Sequence, residues 1–69
     1  MPERERLDDI AMAHSFYVQA RARNSWPAAA AWARALRTAQ ELAHIELVPY
    51  QELADVIELG EAEDERRTA

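Results

Sequence analysis

Apolar positions recur along this chain at spacings of three and four, the repeat of an α-helix rather than of a strand. In the first stretch, Ile10, Ala13, Tyr17 and Ala20 share one face, and Leu7, Ala11, His14 and Val18 make a neighbouring stripe. The spacing predicts a helix over about residues 3–23 whose apolar face is wider than a two-sided surface helix needs. Pro2 suits its first turn. Glu3, Glu5, Asp8 and Asp9 lie near the positive end of its dipole, and Arg21 and Arg23 near the negative end. Asn24-Ser25-Trp26-Pro27 interrupts the pattern. Ser25 or Asn24 can cap the next helix, Pro27 fits its first turn, and Trp26 belongs to the turn because a residue before proline avoids helical dihedrals.

A second helix is expected over about 27–47. Arg34, Arg37, Glu41 and His44 form its polar stripe. Trp32, Leu36, Ala39, Ala43 and Leu47 lie opposite, flanked by Leu42 and Ile45. Val48-Pro49 should stop it, since proline removes a ladder donor. Tyr50, Leu53, Ala54 and Ile57 then predict a third helix over about 49–59, widened by Val56 and Leu59, with Glu52, Asp55 and Glu58 facing water. Gly60 reads as a helix stop, and residues 61–69 as an acidic flexible tail. The fold class is therefore all-α: one helical domain over residues 1–60, with an antiparallel hairpin of the first two helices and a short third helix.

Length sharpens this picture. A 69-residue chain supports only a modest core, and small folds usually add a disulfide, a metal or association. With no cysteine, association is the remaining common route, and the broad apolar faces point to a homodimer with a four-helix-bundle-like core. Fifteen alanines and a single glycine favour helix throughout. The basic residues are all arginine, which with the alanine content suggests a GC-rich bacterial or phage genome.

Charge is segregated. Residues 10–40 contain four arginines and no acid, whereas residues 41–69 contain nine acids against Arg66 and Arg67. A basic block followed by an acidic one asks for a partner, within the chain or in another. The net charge of −5 argues against a broad nucleic-acid or anionic-membrane surface. No run approaches the roughly 20 apolar residues of a membrane span, and the charged start lacks the apolar core of a signal peptide, so the expected location is the cytoplasm.

The chemical inventory is thin. Glu41-Leu-Ala-His44 resembles half of the ferritin-like Glu-x-x-His signature, which would imply a metal-binding mini-subunit. The first helix offers no carboxylate beyond residue 9 to complete such a site, and the pair shares its stripe with Arg34 and Arg37. His14 among apolar residues reads as a core or boundary histidine. Residues 40–60 resemble a helix-turn-helix in rhythm, which would imply a small DNA-associated regulator. The would-be recognition helix carries Glu52, Asp55 and Glu58, whose charge a duplex repels. There is no glycine-rich phosphate loop and no paired nucleophile and base, so neither an enzyme nor a cofactor is expected. The chain reads as a protein–protein interaction module, an adaptor, inhibitor or assembly factor, whose partners are a second copy of itself and another protein. The residues expected to carry association are Ile10, Tyr17, Trp26, Trp32, Leu36 and Ala39, with Arg34 and Arg37 as a polar rim.

Overall fold

The computed structural model describes the backbone of residues 2–68 and the side chains of residues 8–67. It contains α1 (Pro2–Ala22), α2 (Trp26–Ala43) and α3 (Tyr50–Thr68), with no strand among the described residues. The central element is α2, against which both α1 and α3 pack. The assembly is elongated, 44 × 19 × 17 Å. The expected contributions of Glu3, Glu5 and Leu7 lie outside the described side chains.

The core follows the predicted periodicity on α1 and only in part on α2, where Leu36 is buried but Trp32, Ala39 and Ala43 are partly buried and Leu47 is exposed. From α1 it takes Ile10, Ala13, Tyr17 and Ala20; from α2, Ala29, Ala33 and Leu36; from α3, Leu53, Val56 and Ile57. Leu36 and Leu53 are completely buried. Each such leucine contributes roughly 1.5–3 kcal/mol relative to an exposed one. Other expected apolar positions are not covered: Val18 and Leu59 remain exposed, and so do Tyr50 and Ala54 of the main stripe of α3, whereas Val56 is buried.

Both connections begin with the same device. At the end of α1 the Asn24 N–H donates to the Arg21 carbonyl (3.0 Å) and the Ser25 N–H to the Ala20 carbonyl (2.9 Å). At the end of α2 the His44 N–H donates to the Glu41 carbonyl (3.4 Å) and the Ile45 N–H to the Gln40 carbonyl (3.1 Å). These are Schellman pairings, which need a left-handed residue after the helix, and Asn24 and His44 both supply it at φ 56°. α2 therefore stops at Ala43, not near residue 47. The cause is a hydrogen-bonded reversal at His44 rather than Pro49. Gln40, fully buried, then captures the chain again: its Oε1 accepts from the Val48 N–H (2.8 Å) and its Nε2 donates to the Val48 carbonyl (3.1 Å). This side-chain clamp holds Val48 in the core and leaves Ile45 and Leu47 exposed. Trp26 is the first residue of α2 rather than a turn residue. Ser25 occupies the cap position, and its carbonyl accepts the Ala29 N–H (2.8 Å), but its side chain makes no capping bond.

The third helix differs most from expectation. It runs through Gly60 to Thr68, where a stop at Gly60 and a tail were expected. Gly60 keeps helical dihedrals and is buried. A Cβ at this position would collide with the Ala30 Cβ and lie 2.6 Å from the Trp26 carbonyl oxygen. The glycine is there to let α3 cross the start of α2 backbone to backbone. Beyond it, Glu63 and Arg67 form an i, i+4 pair (3.7 Å), and Arg66 and Arg67 sit at the dipole's negative end.

In an open helix, Gly→Ala stabilises by up to about 1 kcal/mol. At Gly60 the collision is with a buried backbone, and overpacking of this kind costs about 1–3 kcal/mol. Gly60→Ala should therefore lower the urea midpoint of the helical circular-dichroism signal. A raised midpoint would show that the crossing has spare room.

Candidate interaction surface

Two sets of residues could face a partner, and the first is already engaged. The Tyr17 hydroxyl donates to Glu52 Oε2 at 2.6 Å. Arg21 Nη1 donates to the same oxygen at 2.6 Å and to the Tyr17 hydroxyl oxygen at 3.3 Å. The Arg21 guanidinium also lies 5.6 Å from the Tyr17 ring centroid. Nine residues further along α3, Glu61 meets Arg34 at 3.3 Å. Two of the four arginines of residues 10–40, Arg21 and Arg34, are thus answered by the acidic block inside the chain. Exposed pairs of this kind contribute about 0–1 kcal/mol each. Their effect is on register: two contacts spaced about 13 Å along α3 fix where it lies on the other two helices. Arg37 lines a shallow acidic groove with Ile57, Glu58 and Glu61.

The second set is apolar and open. Phe16 and Trp32 stack with ring centroids 4.7 Å apart and planes 18° from parallel. Phe16 is nevertheless 40% exposed, and Met12, one turn before it, 50%. Met12, Trp32, Ala35, Ala39 and Leu42 line a shallow groove between α1 and α2, with Ala13 beneath and Asp9 and Thr38 at its edges. Asp9 is the only charged residue on that lining. An aromatic stack on a largely apolar strip is the kind of patch that binding surfaces use, because aromatic rings bring large area at low entropic cost.

The residues expected to carry association divide accordingly. Ile10, Tyr17 and Leu36 are buried in the chain's own core. Trp32 and Ala39 are half-buried on the open α1–α2 face. Trp26 is half-buried beside Gly60, and Arg34 and Arg37 are exposed on the α3 side. Only Trp32 and Ala39 of this set share the open surface. Phe16 and Met12, its other aromatic and its thioether, were not singled out by the periodicity. Their i, i+4 spacing is the signal that could have found them.

Glu41 and His44 do not share a helix face, because α2 ends at Ala43 and His44 turns left-handed. Among the described residues, no group of three or more potential ligands could hold a metal. Among the described residues, no helix is long and apolar enough to cross a membrane. No family model, curated protein or solved structure matches this chain.

Burial pushes the Tyr17 phenol up to about 12, aided by its hydrogen bond to the Glu52 carboxylate and opposed by Arg21. An unfolded tyrosine ionises near pH 10. The folded state therefore holds a proton that the unfolded state releases. The associated stability is complete below pH 10 and fades as pH rises from 10 through about 12, a loss on the order of 2 kcal/mol. Urea midpoints across this window should fall for the wild type and fall less for Tyr17→Phe. Equal slopes would mean that the phenol is not what α1 and α3 clasp.

Proposed function

We propose that this chain is a small helical protein–protein interaction module that works by binding rather than by catalysis, in the cytoplasm, as a homodimer. The observation that carries the reading is the exposed Phe16–Trp32 stack on the largely apolar α1–α2 strip. Two α1–α2 pairs facing each other would bury this strip in a four-helix-bundle-like core. α3 would lie outside, free to present its acidic surface to an adaptor's, inhibitor's or assembly factor's target.

A small DNA-associated regulator is the weaker reading. Its would-be recognition helix, α3, exposes Asp55 and Glu58, and Arg34 already faces Glu61. Acidic residues at that position oppose a duplex at every salt concentration where charge acts.

Phe16→Glu tests the proposal. The substitution places a carboxylate in the middle of the strip without entering the core. Sedimentation equilibrium should give twice 7.9 kDa for the wild type and a single-chain mass for the variant, with the helical signal retained. A wild type that stays monomeric at high concentration, or a variant mass equal to the wild type's, would remove the face from the proposal.

A further inference from the structure

The α1 side of the open face reads Asp9, Met12, Phe16, Gln19, Arg23, at spacings of three, four, three and four. Asp9 and Met12 line the groove, and Phe16 stacks on Trp32 beside it. The helical repeat holds to the end of the row, since the Arg23 N–H donates to the Gln19 carbonyl at 3.2 Å. Arg23 therefore continues the same side. The row has a carboxylate at one end and a guanidinium at the other, about 21 Å apart. Phe16 is midway, seven residues from each. Asp9 and Arg23 are both exposed, and neither forms an ion pair among the described residues.

Such a row is complementary to its own reverse. We infer that the occupant of this face is a second copy of the chain, its α1 antiparallel to the first about a two-fold axis at Phe16. Each Asp9 then meets the partner's Arg23. This rests on the interaction-module reading above and adds the identity and direction of the partner helix. A two-fold axis makes every contact occur twice, so Asp9 and Arg23 of one chain meet Arg23 and Asp9 of the other. A parallel register would set Asp9 against Asp9 and Arg23 against Arg23, and like-charge contacts are what exclude wrong arrangements. Overall charge favours the same choice. The chain carries a net −5, concentrated in residues 41–69, so two copies repel through their α3 surfaces. The α1 row sums to zero and is where a second copy can approach.

The experiment is a charge exchange on the full chain, read by sedimentation equilibrium at low salt, with circular dichroism as the control for folding. Asp9→Arg gives a homodimer with two Arg–Arg contacts, and Arg23→Asp one with two Asp–Asp contacts. Each should weaken self-association by roughly tenfold or more. An equimolar mixture of the two single variants should recover dimer, because both contacts in the mixed pair become Arg–Asp. The double variant should recover it as well. Recovery on mixing cannot come from a variant that has simply failed to fold. A wild-type dimer indifferent to either single variant overturns the antiparallel register and leaves the proposed function standing. A monomeric wild type overturns both.

Discussion

Everything in this structure depends on how closely α3 can approach α2. α2 is a single helix required to support two neighbours, and its core side is built almost wholly from small residues: Ala29, Ala30 and Ala33, with Leu36 and Gln40 beyond. Small residues let backbones come near, but the limit is reached at Gly60, where even one methyl group would overlap Ala30. That crossing sets the position of the whole of α3. It puts Leu53, Val56 and Ile57 into the core, Glu52 beneath Tyr17 and Arg21, and Glu61 beside Arg34. The chain's one glycine is used here, inside a helix. The helix ends, where glycine is usual, are left to Asn24 and His44.

The segregation of charge follows from the same placement. With α3 laid along α2 and touching α1, acids from the second half of the chain meet arginines from the first. The pairs are exposed, so they add little stability. What they add is direction: a shifted α3 would leave Glu52 and Glu61 without their arginines. Because these arginines are answered internally, the charge pattern does not by itself demand an outside partner. The surface that remains open is the one between α1 and α2 where α3 does not reach. It is apolar, with aromatic rings at its centre.

Apolar spacing along a helix reports which residues share a face, and this much was legible in the sequence. Ile10, Ala13, Tyr17, Ala20, Leu36, Leu53 and Ile57 are where the periodicity put them. So were the exposed positions Arg34, Arg37 and Glu41. Of the open surface, Trp32 and Ala39 were legible as apolar positions of α2. Phe16 and Met12 were not, because they lie on neither of the two apolar stripes read on α1, and spacing alone cannot say which side a neighbour leaves open. Covering is a long-range property, fixed by where α2 and α3 pass.

Three helices, the inward face of α1 and the separation of charge were readable from the chain alone, since each of these follows from residues within a few positions of one another. Three features were decided only in the tertiary structure. Gly60 reads locally as a stop, and only the proximity of Trp26 and Ala30 makes it a crossing point through which the helix continues. α2 ends at Ala43 because His44 accepts a left-handed conformation and Gln40 reaches Val48, eight residues on. And Arg21 and Arg34 face acids of their own chain, because the α3 crossing brings Glu52 and Glu61 to them. Gly60 and the two arginines were resolved by contacts distant in sequence, and the end of α2 by hydrogen bonds within eight residues that apolar spacing does not report.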